Sequence, residues 1–165
     1  MSVIEVVRFP HQILRQQCEP VENITDAILK LIDDMAETMY SYKGVGLAAP
    51  QIGVAQNVIV LDAGQGLISL INPEISLSEG TEAKEEGCLC LPDLSVTVER
   101  SERIQIKGID RKGNPFTIEA DGLLARAMQH EIDHLHGTLI IDKLSKLKRD
   151  LIIKRLRKQQ LKAQK

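Results

Sequence analysis

The apolar positions of this chain change period along its length. Ile28, Leu31, Ile32, Met35 and Met39 recur at steps of three and four, so the spacing predicts an amphipathic helix capped by Asn23 or Thr25 and ending near Tyr40. From Asn57 the pattern becomes strand-like. Val58–Leu61 is a continuous apolar run, Leu67–Ile71 is a second that ends at Asn72-Pro73, and Ile75–Ser78, Val96–Val98 and Arg103–Lys107 alternate with period two. Asp110-Arg111-Lys112-Gly113-Asn114 reads as a turn, with Phe116–Glu119 returning as the second arm of a hairpin. Helical spacing resumes between Asp121, a plausible N-cap, and Gly137, placed as a left-handed C-terminal residue. A last helix is predicted in the tail, with Leu147, Leu151, Leu156 and Ile152 or Ile153 as its apolar face and with Gln159–Lys165 fraying. Strands grouped together, with helices at either end, imply an α+β fold of mainly antiparallel sheets around a central helix, with an N-terminal helix and a C-terminal basic helix.

Two stretches carry chemistry rather than periodicity. Gly44-Val45-Gly46-Leu47-Ala48-Ala49-Pro50-Gln51 reads as a small-residue loop. No Lys-Ser/Thr follows its glycines and no helix is signalled after it, so it is a poor phosphate loop, but its small residues let another chain approach the backbone. Gln129-His130-Glu131-Ile132-Asp133-His134 is an H-E-x-x-H pattern inside the central helix. Its four-residue step sets His130 and His134 one turn apart on one face, where both can reach a single metal ion, and Glu131 can take a proton from a nearby water. Leu123 and Ala127 continue the same stripe. Two satisfied histidines on a buried helix are the plain alternative.

A metal site needs a third protein ligand. The common extension, another His beyond a glycine, fails because Thr138-Leu139-Ile140 follows Gly137. His136 points to another side of the helix, and His11 reads as a surface residue. Cys88, in Glu85-Glu86-Gly87-Cys88-Leu89-Cys90, is the better candidate, against the ordinary fate of a free cysteine as a small buried thiol.

Composition narrows the classes. Aromatic residues make up 2% of the chain, with no Trp, which argues against a stacking surface for single-stranded nucleic acid. No apolar run has membrane-spanning length, and the first residues lack a secretory pattern, so a cytoplasmic location is expected. Three cysteines are too few for a disulfide framework. Net charge is −2, but residues 143–165 hold ten Lys or Arg against one acid, Asp150.

Three separated motifs, 44–51, 86–90 and 129–134, resemble those of the bacterial peptide deformylases in order and spacing, and the likeness covers nearly the whole chain. It implies that Cys88, His130 and His134 hold one metal ion per chain. Fe²⁺ is implied as the natural ion, replaceable by Zn²⁺, Ni²⁺ or Co²⁺ in purified protein. The implied reaction removes the formyl group from N-formyl-Met nascent peptides, with Glu131 as the proton-transferring base and the Gln51 amide and Leu89 N–H meeting the charge on the formyl oxygen. Val45, Gly46, Glu86, Gly87, Leu123 and Ala127 are expected to bind substrate. Residues 1–142 are expected to form a single catalytic domain, and 143–165 a helical extension able to contact ribosomal RNA. Cys90 departs from the family's usual serine. Lys43 stands where some relatives carry an acid, so an ion pair of that acid with Arg100 is expected to be missing. Arg126, where an apolar residue is frequent, is read as a charge on a solvated helix face, with a place at the pocket mouth as the alternative. Two rivals remain: a metallopeptidase of internal amide bonds, and an RNA-binding module with a structural metal.

Overall fold

A computed structural model describes residues 2–163. In chain order its elements are α1 (Asp26–Ser41), β1 (Gly46–Ala48), β2 (Val58–Leu61), β3 (Ile68–Glu79), β4 (Glu82–Cys88), β5 (Leu91–Arg100), β6 (Arg103–Ile109), β7 (Pro115–Asp121), α2 (Gly122–Leu135) and α3 (Lys146–Ala163). The expected α+β class is borne out. Five strands form an antiparallel sheet in the order β1-β2-β3-β6-β7, and β4 and β5 form a separate two-stranded antiparallel sheet.

Strand β2 explains the layering. All four of its residues are buried, so its two faces pack against different partners. Ile59 and Leu61 join Met128, Ile132 and Leu135 of α2, while Val58 and Val60 join Ile32, Met35 and Met39 of α1. A continuous apolar run is therefore what a strand between two helices requires, and each such side chain contributes roughly 1.5–3 kcal/mol of gross burial energy. Thr25 caps α1, its side chain accepting from the Ile28 amide. The β6–β7 hairpin turns where expected, with the Asp110 carboxylate accepting from the Lys112 and Asn114 amides.

Several expectations are corrected. Residues 46–48 are strand β1 rather than loop, and Ala49–Ile52 make a short 3-10 turn after it. Strand β3 does not stop at Asn72-Pro73. It runs through with a shift of register, and Asn72, at φ 52°, exchanges two hydrogen bonds with the Val21 backbone. Strand β4, rich in glutamate, was not signalled by any apolar alternation. Asp121 occupies the N-cap position of α2 without a capping bond from its side chain. The tail packs Ile152, Ile153 and Leu156 inward on the core beneath the β4–β5 hairpin, whereas Leu147 and Leu151 are exposed. Gln164 and Lys165, the end of the tail predicted to fray, lie outside the described residues.

Gly137 ends α2 as expected, at φ +74°. A Cβ there would sit 2.5 Å from the Arg15 carbonyl oxygen, which is backbone and cannot swing away. Gly137→Ala is therefore expected to lower stability by more than the ~1–2 kcal/mol that left-handed backbone alone costs a non-glycine residue, read as a lower urea midpoint at unchanged slope.

Asp34 is buried on α1, where its carboxylate accepts from Lys30 Nζ at 2.6 Å and from the Ser2 amide at 2.8 Å. The Lys30 bond, aided by the Ser2 amide, outweighs burial and holds its pKa below the ordinary value. A carboxyl depressed in the folded state contributes fully above its unfolded pKa of about 3.9, and the contribution is lost as pH falls below that. The stability gap between wild type and Asp34→Asn should thus be wider at pH 7 than at pH 3 by urea denaturation.

Candidate active site

The central helix brings its imidazoles together as its period dictates. His130 and His134 have ring centroids 5.0 Å apart, with their Nε2 atoms separated by 3.3 Å. The third donor arrives from the other sheet. Cys88, the last residue of β4, sets its Sγ 3.3 Å from His134 Nε2, and one donor atom from each of Cys88, His130 and His134 lies within 4.8 Å of the others. Bonds of about 2.0–2.3 Å from nitrogen and sulfur to a tetrahedral ion leave donors roughly 3.3–3.6 Å apart, so the set fits a metal ion.

A carboxylate orients one of the two imidazoles, whereas the buried His134 Nδ1 has no hydrogen-bond partner among the described residues. His130 Nδ1 faces Glu86 Oε1 at 2.9 Å, an arrangement that leaves Nε2 free to ligate. Glu86 is itself gripped by two arginines. Arg100 donates from Nε and Nη2 at 3.0 and 2.9 Å, and Arg126 from Nη1 at 2.6 Å. Burial opposes the charge on Glu86, but His130 and Arg100 outweigh it and hold its pKa down at about 2. Gln51 is buried. Its Oε1 accepts from the Ala48 amide and its Nε2 points at Cys88 Sγ, 3.6 Å away.

Glu131 faces the same place from below. A buried Glu131 Oε2 has no hydrogen-bond partner among the described residues, an orphan carboxylate oxygen beside the donor set. Burial pushes its pKa up to about 7, against the pull of the nearby His130 and Arg100. Gly46 gives it room, since a Cβ on that residue would lie 2.9 Å from Glu131 Cγ. Cys88 and His130 hold protons that an ion would displace. The Cys90 contact and burial raise the Cys88 thiol to about 11, and although burial lowers His130, its bonds to Cys88 and Glu86 raise it to about 10.

A cavity of about 420 Å³ opens over these groups. Gln51, Leu89, Cys88, His130, Glu131, Val45, Gly46, Glu86, Gly87, Leu123 and Ala127 all line it, and His134 lies buried beneath. Leu123, at 57% exposure, sits at the mouth rather than deep in a slot. His11 and His136 lie elsewhere: His11 accepts from the Ile13 amide, and His136 pairs with Gln17 on the surface.

One expectation about charge fails. Arg126 is not on a solvated face. It is buried, lines the cavity, and donates to Glu86, the Val98 carbonyl and the Glu82 carbonyl. No acid stands at position 43 to pair with Arg100, as expected, and Glu86 and Asp133 hold it instead. The run of glutamates at 82–86 was the available signal, since a buried carboxylate needs cations near it.

The family model for polypeptide deformylase matches residues 3–150. The chain belongs to the polypeptide deformylase family. A peptide deformylase from Thermodesulfovibrio yellowstonii is 50% identical over 162 residues, covering 95% of this chain and 98% of that protein. The crystal structure of a peptide deformylase from Legionella pneumophila superposes with a TM-score of 0.91 at 43% identity, covering 99% of each chain. A peptide deformylase from Ehrlichia chaffeensis in complex with actinonin gives a TM-score of 0.92 at 39% identity, covering 96% of this chain and 98% of that one.

Arg126→Met keeps the apolar stem and removes the guanidinium. It strips one cation from a buried carboxylate and leaves the buried Val98 carbonyl and the part-buried Glu82 carbonyl short, so an expected loss of about 1.5–3 kcal/mol follows from hydrogen bonds to charged groups. Urea unfolding of the variant measures it. A change under about 0.5 kcal/mol would return Arg126 to a surface role.

Proposed function

We propose that this chain carries out the deformylase reaction through one metal ion held by Cys88, His130 and His134, with Glu131 moving the proton. The chain is a metal-dependent hydrolase that takes the N-formyl group from the N-terminal formyl-methionine of new polypeptides and releases formate. The observation that carries the assignment of residues is the meeting of one sulfur and two imidazole nitrogens beside an orphan carboxylate oxygen, at the base of an open cavity. Structural metal sites are usually closed by four protein ligands, and three with a carboxylate beside them favour catalysis.

A bound ion would acidify water and polarise the formyl carbonyl. Glu131 takes the proton of the attacking water and passes it to the departing amine. The Gln51 amide and the Leu89 N–H meet the negative charge growing on the formyl oxygen, donors of a kind worth about 3 kcal/mol each. Val45, Gly46, Glu86 and Gly87 flank an extended peptide that lies in the cavity as an added strand. Leu123, Ala127 and the stem of Arg126 form the apolar wall met by the methionine side chain. The Arg126 guanidinium is committed to Glu86, so it does not select an acidic second residue. The ion is Fe²⁺ in this reading, with Zn²⁺, Ni²⁺ or Co²⁺ as substitutes.

Residues 1–142 constitute the catalytic part, and the basic extension 143–165, which carries α3, docks on ribosomal RNA in the cytoplasm beside the substrate. Lys146, Lys148, Lys154, Arg155, Arg157, Lys158 and Lys162 are exposed on α3, a density of charge suited to phosphate.

Glu131→Ala should keep bound metal and lose turnover of an N-formyl-Met peptide by about 10²-fold or more, and Cys88→Ala should lose both, read by metal analysis alongside formate release. Near-normal rates in Glu131→Ala would move the base elsewhere. N-Acetyl-Met and unblocked peptides should release nothing, and internal cleavage would favour a peptidase. For the tail, Lys154→Gln, Arg155→Gln and Lys158→Gln in one chain leave Ile152, Ile153 and Leu156 seated. Peptide turnover should persist while salt-sensitive cosedimentation with ribosomes weakens. Unchanged cosedimentation would remove α3 from that role.

A further inference from the structure

The second sulfur beside the donor set has no part in the reaction above. Cys90 Sγ lies 3.1 Å from Cys88 Sγ, two residues on, in the turn that joins β4 to β5. We propose that Cys90 is a resolving thiol: when a hydroperoxide oxidises Cys88, Cys90 closes on it as a Cys88–Cys90 disulfide and makes the damage reversible. The inference rests on the reading of Cys88 as a metal ligand only for what is lost, namely the ion. The thiol chemistry follows from placement.

Accessibility separates the two sulfurs. Cys88 is partly exposed and lines the cavity, so a small oxidant reaches it from solvent. Cys90 is 1% exposed and does not line the cavity. It is packed among Leu14, Leu91, Leu139 and Ile140. Nor does it belong to the donor set, which comprises Cys88, His130 and His134 among the described residues. It therefore stands behind the attacked sulfur, shielded from the oxidant and within contact of the product. Closing from 3.1 Å to the roughly 2.05 Å of a disulfide asks for a movement of about 1 Å. Cys18, the remaining cysteine, is a free thiol buried in the cluster beneath α2. A serine at position 90 would fill the same space and could not form the bond.

The steps balance. The Cys88 sulfur takes one oxygen of the hydroperoxide as S–OH, the O–O bond breaks, and the corresponding alcohol or water leaves with the thiol proton, or with a proton from solvent where Cys88 starts as a thiolate. The Cys90 sulfur then attacks the Cys88 sulfur. The S–S bond forms, the S–O bond breaks, and water leaves with the Cys90 proton. Two thiols are oxidised by two electrons and one hydroperoxide is reduced. Without a neighbouring thiol, the sulfenic acid continues to sulfinic and sulfonic acids, which reductants do not reverse.

The test treats the full-length Zn²⁺-loaded chain, and its Cys90→Ser and Cys90→Ala variants, with hydrogen peroxide. Remaining thiols are then alkylated in denaturant, the 85–100 peptide is mapped by mass, and released Zn²⁺ is measured. Wild type should lose two of its three thiols and the mass of two hydrogens in that one peptide. It should release Zn²⁺ and regain its thiols, its ion and formate release after dithiothreitol and fresh Zn²⁺. Both variants should instead gain two or three oxygens on Cys88 and stay inactive. Wild-type Cys88 carrying those oxygens while Cys90 remains free overturns the proposal. So does a bridge that involves Cys18, or recovery of the variants equal to wild type. The peptide masses report on the sulfurs whether or not Zn²⁺ is held at them, so failure of the metal assignment is read separately from failure of this one.

Discussion

The carboxylate of Glu86 is the point on which the site depends. It sits on β4, in the two-stranded sheet, and reaches His130 on α2, which packs against the other sheet. That bond, with those of Arg126 to the Val98 and Glu82 carbonyls and of Arg100 to Asp133, fixes the layer bearing Cys88 against the layer bearing the imidazoles. With it, the imidazole has one tautomer and one orientation, and Cys88 two residues further along β4 is delivered to the same place. A carboxylate so deeply buried is tolerable only with cations against it, and Arg100 and Arg126 supply them from β5 and α2. Asp133 and Lys143 extend the network outward through Arg100.

The chemistry of the site follows from contrast between its two buried carboxyl groups. Glu86 is surrounded by donors and stays charged, so it serves as a fixed clamp. Glu131, one residue from His130, is buried with an oxygen left unpartnered, and its affinity for a proton is raised. In the proposed mechanism one holds and the other exchanges a proton, and their environments, rather than their identity, divide the roles. Strand β1 completes this division by bringing Gly46 so near Glu131 that no side chain fits between them.

Cys90 adds a property that the ligand set alone lacks. A sulfur open to solvent is the most oxidisable of the three donors, and it is the one backed by a second thiol. The hairpin that carries both sulfurs also carries Leu89 between them, so in the proposal above the turn that forms the site's wall also governs its oxidation.

Local order determined what was legible in the linear chain. The period of the helix alone placed His130 and His134 on one face, the unbroken apolar run of β2 announced burial on both sides, and the Asp110–Asn114 turn closed its hairpin. Each of these depends on neighbours within a few residues. The rest rested on contacts across long separations. Gly46, Leu47 and Ala48 became strand β1 because β2 supplied their hydrogen bonds, and the glutamate-rich stretch became β4 because β5 did the same. Arg126 turned inward to a carboxylate forty positions away, and Cys88 met His134 across forty-six. The residues alone set the helix period and the supply of donors. Only the packed chain decided which charge is buried and which sulfur faces the imidazoles, because burial and pairing are properties of partners that local pattern does not contain.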